Sequence, residues 1–332
     1  MILDNKTILV TGGTGSFGQK FIEYILNNKN PKSIRIFSRD EMKQWEMKRK
    51  FDSNKKLRFF IGDVRDKNRL MRAFEGVDIV VHAAALKHVP VCEYNPFEAV
   101  LTNTIGVQNI IEAALFNNVD KIMAISTDKA VDPVNLYGAT KMCMEKICTA
   151  ANVYSGKNRR TKISCVRYGN VFGSRGSILP LWNEQKKNGY ITITDKRMTR
   201  FWLTLDQGIE FVINSIELME GGEVFVPKIS SMKVIDLSKV VAPNCEVRVI
   251  GIRPGEKLHE CLITENEARN TYEMENYFVV IPKGDGYTSP LALKGKSLPD
   301  NFKYTSNENN KWLSPDQILK ILKRKSSHMV VS

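Results

Sequence analysis

The stretch TILVTGGTGSFGQKFIEYILNN, residues 7–28, predicts how the chain begins to fold. The β-branched run TILVT leads into a glycine cluster, and the residues after it place apolar side chains at helical spacing. Gly12, Gly15 and Gly18 are therefore expected in a turn between a first strand and a first helix. Glycine allows positive φ and lets a pyrophosphate approach the backbone at a helix N-terminus, so the turn predicts a dinucleotide site.

Strand and helix patterns alternate from this turn to Gly173. This alternation predicts an α/β fold, a doubly wound parallel sheet of the NAD(P)-binding Rossmann type with helices on both faces. After Gly173 the strands become shorter and the rhythm irregular. We therefore predict three units: an NADP-binding domain at 1–174, a smaller α/β substrate lobe at 175–290 that returns part of its chain to the first domain, and a C-terminal helix and tail at 291–332. The helix is expected over 314–323 and a disordered tail over 326–332.

Composition narrows the class of protein. The chain has 332 residues, is 42% hydrophobic and has a formal net charge of +13. The basic residues are spread out, without the basic–aromatic pattern of nucleic-acid binding. No apolar run approaches the roughly 20 residues that span a bilayer, and no signal peptide is evident. Six scattered cysteines and four histidines show no metal-ligand spacing. We expect a cytoplasmic protein with no metal, no nucleic-acid partner and no membrane partner.

The end of the second strand predicts which dinucleotide is bound. In IFSRDEMKQ, residues 36–44, Ser38 and Arg39 follow the strand, Lys43 is near, and Asp40 comes too late to hold ribose hydroxyls. A hydroxyl and a guanidinium suit a 2′-phosphate, which favours NADP over NAD. The full set predicted for the cofactor is Gly12, Thr14, Gly15, Ser16, Phe17, Gly18, Ser38, Arg39, Asp40, Lys43, Gln44, Asp63, Val64, Ala83, Ala84, Ala85, Lys87, Tyr137, Lys141, Asn170 and Val171.

The segment STDKAVDPVNLYGATK, residues 126–141, contains two acid–base pairs. Tyr137 and Lys141 are one helical turn apart, and a cationic lysine beside a phenol is expected to lower the phenol's pKa. The tyrosine could then take a proton from a substrate hydroxyl. Asp128 and Lys129 form the second pair: a neutral lysine could remove a proton and a protonated aspartate could donate one. A lysine base requires a lowered pKa, which we expect from a dry site beside other cations.

With Thr127, Tyr137 and Lys141 as the usual hydroxyl, tyrosine and lysine, the chain resembles an extended short-chain dehydrogenase/reductase. The added Asp128-Lys129 pair is similar to that of a sugar 4,6-dehydratase. The motifs that extend this resemblance are TGGTGSFG, SRDEMKQ, IGDVRD, HAAALKHVP, STDKA, RYGNVFGSRGS, RMTRFW, GGEVFVPK and GIRPGEKLHE. Together they resemble the soluble, configuration-inverting UDP-N-acetylglucosamine 4,6-dehydratase family of the pseudaminic-acid pathway.

The resemblance implies a reaction and a substrate site. Tightly bound NADP+ would oxidise C4 transiently, water would leave across C5 and C6, hydride would return to C6, and Lys129 would reprotonate C5 from the opposite face. The product would be UDP-2-acetamido-2,6-dideoxy-β-L-arabino-4-hexulose. The arginines would bind the diphosphate bidentately. The implied substrate residues are Lys87, His88, Asn170, Arg175, Thr199, Arg200, Arg253 and Glu256.

Other functions remain open from the sequence. A C5-retaining dehydratase or a UDP-sugar 4-epimerase would use the same fold, although the membrane-anchored retaining enzymes lack the tyrosine at the position of Tyr137. A non-enzymatic NADP-sensing protein would have no need for Asp128, Lys129, Tyr137 and Lys141 together. The resemblance also implies a homo-oligomer, either a dimer through the long helices of the first domain or a hexamer.

Overall fold

The computed structural model of the protein describes residues 2–154, 161–173, 178–281 and 289–329. The first half alternates strands and helices as the sequence predicts. Its elements are β1 (Thr7–Thr11), α1 (Ser16–Asn28), β2 (Ser33–Ser38), α2 (Glu41–Lys50), β3 (Leu57–Ile61), α3 (Lys67–Ala73), β4 (Ile79–His82), α4 (Val89–Tyr94), α5 (Pro96–Val100), α6 (Gly106–Phe116), β5 (Lys121–Thr127), α7 (Leu136–Tyr154) and β6 (Lys162–Tyr168).

Short strands and helices make up the rest of the described chain. They are β7 (Asn170–Val171), α8 (Ile178–Gln185), β8 (Tyr190–Ile193), β9 (Thr199–Leu203), α9 (Leu205–Leu218), β10 (Val224–Pro227), β11 (Ser230–Lys233), α10 (Val234–Val241), β12 (Glu246–Val249), β13 (Cys261–Ile263), α11 (Glu265–Ala268), β14 (Thr271–Glu273), β15 (Tyr277–Val280), β16 (Lys296–Ser297), β17 (Tyr304–Thr305) and α12 (Pro315–Met329).

The described strands form one large sheet, in the order β16-β14-β15-β10-β6-β5-β4-β1-β2-β3. Strands β1 to β6 and β10 run parallel. The remaining strands, β15, β14 and β16, pair antiparallel at the end of the sheet next to β10. The predicted doubly wound parallel sheet is confirmed. Its order 3-2-1-4-5-6 brings the carboxyl ends of the central strands to one edge, where α/β proteins bind ligands.

Apolar clusters lie on both faces of the large sheet. Side chains of α1 and α9, such as Phe21 and Val212, pack on one face, and those of α6 and α7, such as Ile110 and Met144, on the other. Because both faces are covered, strands such as β1 are buried throughout, which explains the unbroken apolar run in the sequence.

A third apolar cluster holds the smaller elements together. Trp182, Ile191, Trp202, Leu237 and Ile318 are among its members and bring together α8, β8, β9, α10 and α12. The small sheets β11-β9-β7 and β12-β8 contribute to this cluster, whereas a further small sheet, β13-β17, packs with the cluster of α6 and α7 through Leu262, Ile263 and Tyr304. Residues 224–227, 271–273 and 277–280 nevertheless pair within the large sheet. The predicted domain boundaries after 174 and 290 stay a prediction.

A π-helical stretch, Leu101–Ile105, lies between α5 and α6. Such a bulge is frequent near functional sites, and Thr102 of this stretch lines the cavity described below. The C-terminal helix continues to Met329, so the prediction of a disordered tail is wrong for 326–329, and 330–332 fall outside the described residues.

One helical stretch in the described chain, Pro96–Phe116, is long and apolar enough to cross a bilayer by length and composition. About half of its most apolar window, 56%, is buried inside the protein. A core helix of a soluble protein meets the same criterion, so the stretch is weak evidence for a membrane span.

Candidate active site

A cavity of about 950 Å³ lies at the carboxyl ends of strands β1 to β6 and extends to residues of the small sheets. Nearly all residues predicted for the cofactor, the chemistry and the substrate line it. They are Gly12, Thr14, Gly15, Ser16, Phe17, Gly18, Ser38, Arg39, Asp40, Lys43, Asp63, Val64, Ala83, Ala84, Ala85, Lys87, His88, Thr127, Asp128, Lys129, Tyr137, Lys141, Asn170, Val171, Arg200, Arg253 and Glu256. Arg175 falls outside the described residues, and Gln44 and Thr199 do not line the cavity.

The glycine turn has the geometry that a dinucleotide requires. Gly12 has a φ of +64°, and a Cβ on it would lie 2.8 Å from the backbone nitrogen of Ala84. A Cβ on Gly18 would approach the Cα of Gly13 to 2.5 Å, so the turn and α1 pack without side chains between them. Helix α1 begins after Gly15, which offers no side chain to cap the first N–H groups. These features fit a diphosphate at the helix N-terminus.

The end of β2 presents the groups predicted to distinguish NADP from NAD. Ser38, Arg39 and Lys43 line the cavity, and Arg39 is half-exposed, 3.5 Å from Asp63 Oδ2. Asp40 caps α2: its Oδ1 accepts the Lys43 N–H at 2.9 Å, and its Oδ2 accepts from Lys43 Nζ. The Asp40 carboxylate is therefore committed to its own helix, as its late position in the sequence suggests.

Gln44 is one correction to the predicted cofactor set. Its side chain is buried, and Nε2 donates to the carbonyl oxygen of Ser38 at 3.0 Å, to Ser38 Oγ at 3.1 Å and to the carbonyl oxygen of Phe60 at 2.9 Å. Gln44 thus ties α2 to β2 and β3. It supports the cavity wall from behind, because α2 turns it away from the side occupied by Asp40 and Lys43.

The chemistry predicted for residues 126–141 is concentrated at the end of β5. Thr127 ends the strand, and residues 128–130 form one 3₁₀ turn. Thr127 Oγ1 donates to Asp128 Oδ1 at 2.9 Å, and Lys129 Nζ donates to the same oxygen at 3.1 Å. The hydroxyl of Tyr137 forms a hydrogen bond with Thr127. The turn and α7 therefore bring Thr127, the Asp128–Lys129 pair and Tyr137 into one cluster.

Tyr137 and Lys141 do not interact as predicted. Lys141 Nζ donates to the carbonyl oxygen of Ile125 at 2.7 Å and to Met144 Sδ at 2.8 Å, and burial lowers the pKa of Lys141 to about 8. Burial raises the pKa of Tyr137 to about 12, against the opposing effects of the Lys129 charge and the hydrogen bond to Thr127. The expected lowering of the phenol's pKa by Lys141 is wrong for this structure. The cation that acts on the phenol is Lys129.

The lowered pKa predicted for Lys129 is also wrong. Its Nζ lies 3.1 Å from Asp128 Oδ1 and 3.4 Å from Glu260 Oε1. Burial lowers the lysine's pKa, but the two carboxylates outweigh burial, and the pKa lies above its ordinary value. Burial raises the pKa of Asp128, which favours the protonated form that an acid needs.

Glu260 is a residue that the sequence analysis missed. It is almost fully buried, and its Oε1 lies within 3.5 Å of both Lys129 Nζ and Arg200 Nε. Charged residues in a turn-rich run give no periodicity that would indicate burial. The only signal is the position of Glu260 at the end of the motif RPGEKLHE, close after Arg253.

Thr199 needs correction as a predicted substrate residue, whereas Arg200 lines the cavity and stays a predicted diphosphate ligand. The guanidinium of Arg200 is buried and held by the protein, because it donates to three backbone carbonyls and lies close to two carboxylates. These partners are Thr199 at 2.7 Å, Leu258 at 3.1 Å, Lys257 at 2.9 Å, Glu256 at 3.6 Å and Glu260 at 3.5 Å. Arg253, in contrast, is exposed at the cavity.

Thr199 lies behind the cavity in a separate hydrogen-bond network. Its Oγ1 lies 2.8 Å from His259 Nδ1 and 2.7 Å from Ser306 Oγ, and its side chain is buried. Alternation along β9 points Arg200 toward the cavity, and its neighbour Thr199 therefore points away from it.

Several buried polar atoms of the cavity have no hydrogen-bond partner among the described residues. They are Thr102 Oγ1, Ser126 Oγ, Asp128 Oδ2, Asn170 Oδ1 and Trp202 Nε1. Buried polar groups are rarely left unpaired, so their convergence on one cavity indicates a polar ligand. Apolar residues that the sequence analysis did not identify, including Ile193, Met198 and Val234, line the far end.

Sequence comparison finds relatives that match almost the whole chain. A family model described as polysaccharide biosynthesis protein matches residues 8–282. A UDP-N-acetylglucosamine 4,6-dehydratase (inverting) of Campylobacter jejuni is 49% identical, covering 97% of this chain and 98% of that protein. An uncharacterised membrane protein of Methanocaldococcus jannaschii is 49% identical over 96% of both chains. A UDP-glucose 4-epimerase of Rickettsia bellii is 40% identical over 96% of this chain and 95% of that protein.

Solved structures agree with the fold. Pen from Bacillus thuringiensis superimposes with a TM-score of 0.87 at 38% identity, covering 98% of this chain and 100% of that chain. DesIV, a dTDP-glucose 4,6-dehydratase from Streptomyces venezuelae solved with NAD bound, gives a TM-score of 0.68 at 21% identity over 76% of this chain and 86% of that chain. At that identity the second likeness shows the fold alone.

Proposed function

The chain belongs to the polysaccharide biosynthesis protein family whose model spans residues 8–282, and from that premise we propose that it is a configuration-inverting UDP-N-acetylglucosamine 4,6-dehydratase. The observation that carries the proposal is the cluster of Thr127, Asp128, Lys129 and Tyr137 in a cavity that the glycine turn also lines. Relatives with this printed name cover nearly the whole chain at 49% and 48% identity. The substrate would be UDP-N-acetylglucosamine and the product a 4-keto-6-deoxy sugar.

The residues of the glycine turn and of β2 support a nicotinamide dinucleotide, and we propose NADP. Gly12 and Gly18 allow the close backbone packing of a turn that would hold the diphosphate, and Ser38, Arg39 and Lys43 offer hydrogen bonds to a 2′-phosphate. The chemistry that such a cofactor would supply there is reversible hydride transfer, from C4 of the sugar and back to C6, so that it would end each turnover unchanged.

The protein's own residues move the protons. Tyr137 takes the proton of the C4 hydroxyl as the phenolate, with Thr127 as its hydrogen-bond partner. Because burial raises the phenol's pKa, formation of the phenolate depends on nearby positive charge, which Lys129 supplies. Ketone formation at C4 then acidifies the hydrogen on C5.

Elimination uses the second acid–base pair. Lys129 passes a proton to Asp128 across the 3.1 Å hydrogen bond, which leaves a neutral amine and a carboxylic acid. The amine removes the C5 proton, and Asp128 donates its proton to the C6 hydroxyl, which leaves as water. Lys129 then returns a proton to C5. Two protons leave the sugar, from the C4 hydroxyl and C5, and two return, to the leaving hydroxyl and C5. Tyr137 then ends as the phenol and Lys129 as the neutral amine, so a proton passed from the phenol to the amine restores both groups for the next turnover.

A UDP-sugar 4-epimerase is the second candidate, since relatives with that kind of name are 40% identical. An epimerase returns hydride to C4 and has no elimination step that would require Asp128 and Lys129. A C5-retaining dehydratase is less well supported, because Tyr137 lines the cavity. An NADP-sensing protein would not need the buried acid–base pair.

Incubation with UDP-N-acetylglucosamine in D2O tests the proposal. We expect a 4-keto-6-deoxy product with deuterium at C5 and the inverted configuration, identified by NMR. Formation of UDP-N-acetylgalactosamine without label at C5 would instead establish the epimerase. A labelled product with the original C5 configuration would establish the retaining reaction.

We also propose a homo-oligomer, a dimer or a hexamer. Apolar side chains on α4, α5 and the π-helical stretch support it, since Val91, Tyr94, Phe97 and Ile105 are exposed, Tyr94 by 86% and Phe97 by 67%. The cytoplasmic location and the lack of nucleic-acid and membrane partners stay predictions. Light scattering on the purified protein measures the oligomeric state.

A further inference from the structure

Glu260 lies beside the acid–base centre without being part of the reaction described above. We propose that Glu260 is a positioning residue. Its carboxylate is the second one, besides that of Asp128, that holds Lys129 Nζ, and it stabilises the ammonium form of this lysine. This inference rests on the proposed function for its catalytic consequence. Its electrostatic part concerns the protein alone.

The contacts of Lys129 Nζ define this role. The nitrogen lies 3.1 Å from Asp128 Oδ1 and 3.4 Å from Glu260 Oε1. Both carboxylates are buried, with 0% and 3% of their side chains exposed, whereas 27% of the Lys129 side chain is exposed. Two buried carboxylates therefore stabilise one ammonium group, which is still partly exposed to the cavity.

The backbone of Glu260 is held firmly in place. Its N–H donates to Ser306 Oγ at 2.9 Å, and the Ser306 N–H donates back to the Glu260 carbonyl at 2.8 Å. Ser306 Oγ also contacts Thr199 Oγ1 at 2.7 Å, and Arg200 Nε lies 3.5 Å from Glu260 Oε1. Glu260 is thus connected to β9 and to the segment after β17, and cannot follow Lys129 if that side chain moves. The hydrogen-bond network around Thr199 therefore supports Glu260.

The charges around Lys129 show what Glu260 adds. Asp128, in the same turn, faces the ammonium. Four groups from other parts of the chain also face it: Glu260, Arg200 from β9, Tyr137 from α7 and Lys87 after β4. The positive charges of Arg200 and Lys87 disfavour the ammonium form of Lys129. The carboxylates of Asp128 and Glu260 favour it, and they outweigh both burial and the cations.

The consequence concerns the proton that Lys129 and Asp128 share. Transfer from Nζ to the Asp128 carboxylate breaks an N–H bond, forms an O–H bond and needs no external proton. Glu260 opposes this transfer by stabilising the ammonium, and by the same effect it makes the neutral amine a stronger base toward the C5 proton. Without Glu260 the amine would form more readily, but it would be a weaker base, and removal of the C5 proton would slow.

Competitive acetylation tests the electrostatic part without any substrate. Only a neutral amine reacts with trace acetic anhydride, so the labelling rate of Lys129 relative to that of exposed Lys239, measured by mass spectrometry, reports the neutral fraction. In Glu260→Gln we expect this ratio to rise about tenfold, which corresponds to a pKa lower by about one unit. Glu265→Gln is the matched control, since Glu265 lies close by in sequence but pairs with Lys303 at the surface. The control should label at the wild-type rate.

Steady-state kinetics test the catalytic part. With Glu260→Gln we expect kcat to fall about tenfold while KM for UDP-N-acetylglucosamine stays near the wild-type value. The isotope effect on kcat with substrate deuterated at C5 should rise, because removal of the C5 proton becomes slower. Loss of a purely structural contact would change neither the isotope effect nor the labelling ratio.

Each outcome bears on the inference. A Glu260→Gln protein that unfolds at the wild-type temperature and labels at the wild-type ratio would overturn it, even if the wild type is an active dehydratase. A wild type that forms no dehydrated product would refute the proposed function, yet a raised labelling ratio would still support the electrostatic role. If Glu260→Gln does not fold, Glu260→Asp, which keeps the charge but shortens the side chain, should label near the wild-type ratio with a lowered kcat. Equal kcat in Glu260→Asp and Glu265→Gln would overturn the inference.

Discussion

Gly138 and Lys129 are in such close contact that a Cβ on Gly138 would lie 2.1 Å from the carbonyl oxygen of Lys129. This contact presses the first turn of α7 against the 3₁₀ turn that carries the acid–base pair. No side chain fits at Gly138, because the nearest obstructing atom is the backbone carbonyl oxygen of Lys129. The position of Lys129 relative to the phenol thus depends on a glycine that has no chemistry of its own.

Replacement of Gly138 by alanine should displace the turn of Asp128 and Lys129. We expect turnover to fall at least about tenfold and the melting temperature to decrease, since the added methyl group cannot be accommodated without backbone movement. Gly208→Ala in α9 is the control: its Cβ would meet Leu203 Cδ1 at 3.4 Å, an acceptable contact. Equal activity of the two variants would show that the close contact does not position the pair.

Replacement of Lys129 by alanine should abolish the C5 chemistry and spare cofactor binding. We expect turnover to fall by about 100-fold or more, the usual range for loss of a general base. Titration with NADPH, followed by fluorescence, should give a wild-type dissociation constant, because the glycine turn and the end of β2 are untouched. Lys146→Ala, an exposed position on α7, is the matched control. Turnover that survives the loss of Lys129 would mean that another group removes the C5 proton.

The choice of cofactor should depend on Arg39. In Arg39→Ala we expect the affinity for NADP to fall about tenfold, because a charge-assisted contact with the 2′-phosphate is lost, and the affinity for NAD to stay constant. Isothermal titration with both dinucleotides measures this. Arg49→Ala is the control: Arg49 belongs to the same helix as Lys43 but stacks on Trp45, 4.8 Å from its ring centre. A similar loss for NAD and NADP would contradict the proposed 2′-phosphate contact.

The buried ammonium of Lys141 should lower the free energy of unfolding at neutral pH. Its pKa in the folded protein is about 8, below the ordinary value of 10.5, because it is buried. Between these two pH values the unfolded chain binds more protons than the folded protein, so stability rises with pH across this window, and below about pH 8 the full cost of the buried ammonium is present. Lys141→Met should therefore raise the free energy of unfolding at pH 7 by about 1–3 kcal/mol, an advantage that fades as the pH approaches 10.5.

Urea unfolding of Lys141→Met at pH 7 and pH 9.5 measures this difference, and turnover should be lost in the same variant. Lys146→Met, on the exposed side of the same helix, should leave stability unchanged at both pH values. A destabilised Lys141→Met protein at pH 7 would mean that the hydrogen bond to the Ile125 carbonyl outweighs the cost of burying the ammonium.

Features that depend on neighbouring residues were predicted correctly from the sequence. The glycine turn, the parallel sheet and the position of Asp128 and Lys129 at the end of β5 follow from local spacing and alternation. Gln44 was placed wrongly because helix α2 turns its side chain inward, a direction that the motif SRDEMKQ does not indicate. Thr199 was misassigned for a similar reason, since adjacent residues on β9 point to opposite sides.

Properties of the site that depend on distant residues were predicted poorly. The pKa of Lys129 was expected to fall and instead rises, because Glu260, remote in sequence, lies 3.4 Å from Nζ. Arg200 stays a predicted diphosphate ligand, but the sequence did not indicate that its guanidinium also donates to the carbonyls of residues 257 and 258.

The sequence by itself thus determined the order of strands and helices, the glycine turn and the position of the predicted acid–base residues, because hydrogen bonding and side-chain periodicity act over a few residues. Only the tertiary structure decided the directions in which the pKa values of those residues shift. Burial and Coulomb interaction depend on distance in space, and Lys129, Glu260 and Arg200 become neighbours only when the chain after β9 folds back onto the end of β5.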